Sequence, residues 1–333
     1  MPFPLPSFPY PPAGDGFWSP VTATLNWCEE DYYATVYSAE IINTLTNVYF
    51  VYLAVKGIRN CRQNDHDPAC QVAFFNMLFI GTGSMFFHTT LNCNMTRKGV
   101  YPKTKFVPDW MQLLDELSMI YLTSTTFFAM FSFGQSRVVK ILVLLFTSSF
   151  SMFVTLYYHY LKDPVFHQNS FAILAVTVIF KGVYEMEYLL RPSKRLKNPS
   201  YSEKEQKRVD ERDLSILHTM WALTICGVAS VGLGFLIWNL DNIYCSNLRR
   251  WRRDIGLPWG IVFEGHGWWH LFTALAAYYN LVWLSWLRYC LKDKQDDVAL
   301  QWPSLFTSLP LVYRKENLPA RAAENSASDV KLE

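Results

Sequence analysis

The chain has 333 residues, 51% of them hydrophobic and 17% aromatic, and its 30 Lys and Arg against 28 Asp and Glu leave a formal charge of +2. Two water-soluble domains would be the ordinary expectation for that length, and so apolar a composition argues against it in favour of a membrane protein. No basic patch interleaved with aromatics is present, which sets nucleic acid aside as a partner.

The first segment, residues 1–40, begins "MPFPLPSFPYPPAGDGFW" and lacks both the basic and the apolar stretch of a cleavable signal peptide. Its Pro-rich residues 2–12 read as irregular extended chain. Further on, "NWCEEDYYATVYSAE" supplies hard oxygen ligands in Asn26, Glu29, Glu30, Asp31 and Glu40, the type that calcium takes in sixes to eights. The plainer alternative is acid enrichment ahead of a helix N-terminus, which suits the helix dipole. Trp27, Tyr32 and Tyr33 beside it read as interfacial anchors.

From residue 41 to 290 the chain reads as seven membrane crossings, at about 41–58, 70–91, 111–132, 139–160, 168–190, 214–238 and 261–289. The fifth is the weakest, because Lys181, Glu185 and Glu187 lie inside or beside it. The fold class expected is therefore all-α: a polytopic seven-transmembrane helix bundle, followed by a partly disordered tail over 291–333 that ends in "ENSASDVKLE". Seven crossings put nine basic residues on the side of the N-terminus and twenty on the other, with Lys181 between them. That asymmetry places the N-terminus in the lumen or outside the cell, and the C-terminus in the cytosol.

Polar residues inside spans are costly and so informative. Helix two, "FIGTGSMFFHTTL", sets Ser84 and His88 four apart on one face; helix three opens with Asp115 and Glu116; helix seven opens with His266 and His270, again four apart. By parity of the crossings, these three sets share the lumenal side. Three imidazoles and a carboxylate at one depth match a catalytic zinc site, which takes three protein ligands and keeps one position for water. The bland alternatives are an interfacial His pair, and small residues Gly81, Gly83 and Ser84 that serve close helix packing. His66, His159, His167 and His218 lack such company and read as surface or packing residues. Of the seven cysteines, Cys28, Cys93 and Cys245 lie on the lumenal side, where disulfides persist. The pairing stays open on this ground.

The motifs "NWCEEDY", "GTGSMFFHTTL", "QLLDELSMIY", "LIWNLDNIYC" and "GHGWWHLFT", in order over about residues 15–290, resemble the alkaline ceramidases, within a wider seven-helix group that includes the adiponectin receptors. The resemblance implies hydrolysis of the amide of ceramide, phytoceramide or dihydroceramide in endoplasmic reticulum or Golgi membranes. It implies zinc on His88, His266 and His270, with Asp115 acting on the attacking water and Ser84 assisting at the carbonyl. It also implies calcium on Asn26, the Trp27 backbone, Glu29, Asp31 and Glu40, and a disulfide between Cys28 and Cys245. Two departures stand out: amide and carboxylate have exchanged places between Asn26 and Asp31, and the loop from 92 to 110 is longer, with a glycosylation sequon at Asn94. A receptor of the adiponectin-receptor type is the competing function. A proton-relay transporter is a third, without the internal repeat that such folds display.

Overall fold

The computed structural model describes residues 6–23, 25–91, 110–161, 164–194, 199–304 and 307–318. The long loop with Asn94 and the end of the tail fall outside them. Eight α-helices occur among the described residues: α1 (Ile41–Gln63), α2 (Pro68–Thr90), α3 (Trp110–Phe131), α4 (Arg137–Leu161), α5 (Pro164–Leu190), α6 (Glu203–Ile243), α7 (Cys245–Ile255) and α8 (Gly265–Cys290). Of these, α1, α2, α4 and α6 are long and apolar enough to cross a membrane. α4 turns Ile141, Leu145, Phe146, Met152 and Phe153 outward. Water would penalise so continuous an apolar stripe and lipid does not, which marks a membrane protein.

Helix starts follow local chemistry. Asp67 accepts from Ala69 N at 3.0 Å with Pro68 behind it at the first helical position, so α2 begins there. Ser202 caps α6 by accepting from Glu205 N. The charges in α5 are disposed of pairwise: Lys181 pairs with Glu185, and Glu187 takes Arg191 at 2.5 and 2.7 Å together with Trp221 Nε1 at 2.8 Å. Pairing removes most of the cost that made this segment read as the weakest span.

α1 packs on α2 and α8, α6 runs along α8, and α3 joins α2 to α4 and α5. The α1–α2–α3 seam is close because of glycine. A Cβ on Gly81 would stand 2.6 Å from Phe50 Cβ, and one on Gly83 2.9 Å from Leu114 Cγ. These approaches set the depth at which His88, one to two turns further along α2, meets α8.

Three features depart from the expected plan. α6 has 41 residues, about 60 Å at 1.5 Å each and twice a hydrocarbon core of about 30 Å, so its charged first turns stand clear of the apolar layer. The connection before α8 contains α7 and a 3-10 turn at Trp259–Phe263. The fold is not wholly helical either: within the expected tail, β1 (Val298–Gln301) pairs antiparallel with β2 (Leu311–Arg314). This hairpin folds because Val298 and Val312 enter the main core while Pro310 O accepts from Tyr278 and Val312 O lies 3.0 Å from the buried His66 ring. Strands of four residues leave too short an alternation to stand out in sequence.

Candidate metal centre and active site

The chain before α1 is tied to the end of α2 by Ala39 N to Thr89 O at 2.9 Å and Glu40 N to His88 O at 3.0 Å. This places the Glu40 carboxylate against the His88 ring. Glu40 Oε2 lies 2.5 Å from His88 Nδ1 and accepts from Asn43 Nδ2 at 3.0 Å, while Oε1 accepts from Trp27 N at 3.2 Å. A carboxylate on Nδ1 keeps the proton there and leaves Nε2 as a lone-pair donor.

His266 and His270, one turn apart at the start of α8, complete the group. Their ring centroids lie 5.1 and 4.8 Å from that of His88 and 4.6 Å from each other. One potential ligand atom from each of the three lies within 4.8 Å of the others, and all three residues are buried. His88 Nε2 and His266 Nδ1 are buried without a hydrogen-bond partner. Two buried ring nitrogens without partners, in a group of three imidazoles this close together, are what a zinc ion would satisfy, and an all-imidazole donor set suits that metal. His270 Nδ1 lies 3.0 Å from Thr46 Oγ1 and 3.2 Å from Asn47 Nδ2, which fixes its ring. The Trp27 ring stacks on His266 at 4.2 Å.

Asp115 and Ser84 join the group through α1. Asn47 Nδ2, beside His270, donates to Ser84 Oγ at 2.9 Å, and the Ser84 hydroxyl is hydrogen-bonded to Asp115. α8 itself starts where it does because Asp241 accepts from Gly265 N at 3.1 Å. A Cβ at Gly265 would stand 2.7 Å from Asp241 Cβ, so only glycine fits between the cap and the first histidine. Asn43, Thr46 and Asn47 of α1 join the site without belonging to any of the quoted motifs, while Asp241 lies within "LIWNLDNIYC". The spacing of Glu40, Asn43 and Asn47 along α1, a polar face in an apolar span, is the signal that marks them.

The expected calcium ligands are distributed differently. Glu29 spends its oxygens on Ile42 N at 2.7 Å and Asn43 N at 2.9 Å, capping α1. Asn26 donates to Asp31 Oδ2 at 3.0 Å, and the Trp27 carbonyl faces the Arg249 guanidinium at 3.4 Å. Among the described residues, Glu29, Asp31 and Glu40 do not gather within ligating distance as the histidines do. Charge and unused oxygen remain, however, since Glu30 Oε2, Asp31 Oδ1 and Asp241 Oδ2 are buried without hydrogen-bond partners. Burial pushes the carboxyls of Glu29, Asp31 and Glu40 above the usual range, Glu40 to about 7; the Glu264 charge adds to this at Glu29, and Asn43 and Trp27 N–H groups oppose it at Glu40. Tyr32 and Tyr33, expected as interfacial anchors, are buried instead.

Cys28 and Cys245 form a disulfide with Cα atoms 5.4 Å apart. It joins the acidic loop to the start of α7, and the buried Arg252 of α7 donates to Cys28 O at 2.7 Å and pairs with Glu264, which also accepts from Tyr10. Loop, helix and N-terminal segment thus form one body over the start of α8.

Residues 19–313 match the family model described as Ceramidase. The chain belongs to the ceramidase family. It is 30% identical over 278 residues to alkaline ceramidase 3 of Mus musculus, covering 82% of this chain and 86% of that protein. Alkaline ceramidase YPC1 of Saccharomyces cerevisiae is 27% identical over 291 residues, at 82% and 79% coverage, and an alkaline ceramidase of Arabidopsis thaliana is 22% identical over 272, at 82% and 86%. This ceramidase-family chain is thereby a hydrolase, and the histidine group lies within the matched region.

Proposed function

We propose that the protein is a zinc-dependent intramembrane amidohydrolase that cleaves ceramide-type lipids to a fatty acid and a sphingoid base. The observation that carries this is the buried three-histidine group with two unpartnered ring nitrogens, set in a chain of the ceramidase family. His88, His266 and His270 would hold the metal, which when bound supplies Lewis acidity for the amide carbonyl and lowers the pKa of water. The chain's own groups do the rest. Glu40 keeps His88 in the ligating tautomer, and Thr46 and Asn47 hold the His270 ring. Asp115 takes a proton as water adds to the carbonyl carbon and passes it to the nitrogen as the C–N bond breaks, because an amide nitrogen must be protonated to leave. Ser84, linked to Asp115, is the hydroxyl on hand for the carbonyl oxygen.

Release of sphingoid base and fatty acid in equal amounts from ceramide by purified protein in lipid nanodiscs tests this reading. A protein that binds zinc but releases neither is a receptor of the adiponectin-receptor type.

The seven-helix arrangement is part of the same proposal, with α1 to α6 and α8 as crossings and the metal centre toward the lumen of the endoplasmic reticulum or Golgi. The basic-residue asymmetry supports this orientation, and so does a disulfide at the same end, since such bonds persist in oxidising compartments. Non-reducing peptide mapping of protein from intact membranes is expected to recover Cys28 and Cys245 in one linked pair. Two freely alkylated thiols would contradict the lumenal placement.

Calcium is proposed at the neighbouring acidic loop, on Asp31 with its unused buried oxygen, Asn26 and the Trp27 carbonyl; Glu29, bound to α1, and Glu40, bound to His88, Asn43 and Trp27 N, are the expected ligands with least support. Calcium is expected to raise the melting temperature of the wild-type protein and to raise it less in Asp31→Ala. Identical shifts in both would remove Asp31 from the site.

A further inference from the structure

His167 of α5 reads in sequence as a surface or packing residue, yet it is only 1% exposed. It lies beside a second apolar core made by Leu113, Leu117 and Ile120 of α3 with Val154 and Tyr158 of α4, its ring 5.6 Å from that of Tyr158. An aromatic hydrocarbon would suit these neighbours, and a buried imidazole is costly unless its nitrogens are used. The use here is specific. Nε2 donates to the main-chain oxygen of Glu116 at 2.9 Å, which ties α5 to the backbone of α3. A carbonyl oxygen only accepts, so Nε2 carries the proton. Nδ1 stands 3.9 Å from Glu116 Oε2, beyond hydrogen-bond reach.

Glu116 directly follows Asp115, so this bond acts on α3 at the level of the proton carrier. Against α2, the helix is held by close approach and by one bond: a Cβ on Gly83 would stand 3.1 Å from Leu114 O, and the Ser84 hydroxyl is hydrogen-bonded to Asp115. Toward α4 and α5 it is held by polar ties. Gln112 Nε2 donates to Tyr158 OH and to Glu116 Oε1, each at 3.1 Å, and His167 holds Glu116 O. A helix gripped along one line can roll about it, and a second line of contacts removes that freedom. About 10° of roll at a side-chain radius of about 5–6 Å moves a carboxylate by about 1 Å. A misplacement of that size can cost about 10²-fold in rate.

We propose that His167 is a positioning residue for hydrolysis: its bond to Glu116 O fixes the rotation of α3 and so holds the Asp115 carboxylate at Ser84. The inference rests on the ceramide-hydrolase reading above and deepens it. His167 acts through Asp115 and not on the lipid, so its loss slows the proton steps while substrate binding stays as it is. The zinc ligands stand on α2 and α8, and their metal is likewise unaffected.

The test uses the full-length protein in nanodiscs, with ceramide hydrolysis expressed per zinc-loaded chain. His167→Phe keeps the ring and deletes the donor; His167→Asn, whose shorter amide cannot reach the carbonyl, is read in the same way should the Phe variant fail to fold. Either is expected to lower kcat about 10–100-fold, with KM changed less than about twofold and zinc still bound. His167→Gln, which carries an amide nitrogen near the place of Nε2, is expected to keep kcat within about threefold of wild type. In an Asp115→Asn background, His167→Phe is expected to add less than about twofold, because the residue through which it acts has already been disabled. A full further loss in that background would show general loosening of the fold and overturn the proposal. So would loss of zinc, failure of Gln to restore kcat, or wild-type kcat in both the Phe and Asn variants. With wild-type protein that cleaves ceramide, any of these results removes this inference alone. Should the wild-type protein cleave no ceramide, the functional reading fails with it.

Discussion

Asp115→Asn is expected to retain its zinc and lose hydrolysis by about 10²–10⁴-fold, the usual contribution of a positioned acid or base. His270→Ala is expected to lose both. The difference follows from where each side chain stands. His270 contributes one of three ring nitrogens, and four-coordinate zinc has no spare protein ligand to take its place. Asp115 is not one of the grouped residues; among the described residues it is linked to His270 through Ser84 and Asn47. Asparagine preserves its size and its hydrogen bond to Ser84 but cannot carry a proton. Zinc stoichiometry and fatty acid release, measured side by side on folded preparations of each variant, check the pair. Equal zinc loss in both, or full activity in His270→Ala, contradicts the division of roles.

The second large effect belongs to Glu40. Its carboxylate lies on His88 Nδ1 and also holds Asn43 and Trp27. Glu40→Gln keeps the shape and removes the negative charge that fixes the tautomer and raises the basicity of the ring. Loss of such a partner costs about 10–100-fold in metal affinity or activity. The expected outcome is a zinc affinity reduced by that order, measured by competition with a chelator, with hydrolysis partly restored by excess zinc. Unaltered zinc affinity in Glu40→Gln would mean that Glu40 serves the acidic loop alone.

Part of the bundle is legible in the sequence, because α1, α2, α4 and α6 are each apolar over a membrane-spanning length of about twenty residues, a signal that short-range chemistry rarely imitates. α7 and the hairpin escape that signal. Their stability comes from contacts far along the chain, such as Arg252 on Cys28 O and Val312 O at His66, and no local pattern encodes them. At the site, His88, His266 and His270 stand out because imidazoles in apolar helices are rare and these share a depth. Glu40 stands out too, although as an oxygen ligand for calcium. Its bond to a histidine 48 residues away depends on the strap that pairs Glu40 N with His88 O, and only the folded chain displays it. Asn43, Thr46 and Asn47 read as polar interruptions of α1 until α2 and α8 are packed against them.

Hydrolysis is expected to depend on a metal held by the histidine group. The direct measurement is metal content by mass spectrometry together with ceramide hydrolysis, on purified wild-type protein in nanodiscs, before chelation, after it and after return of zinc. The expected result is a single zinc per chain, activity that falls as zinc is withdrawn, and recovery when zinc alone is restored. Undiminished hydrolysis of ceramide by metal-free protein would contradict it.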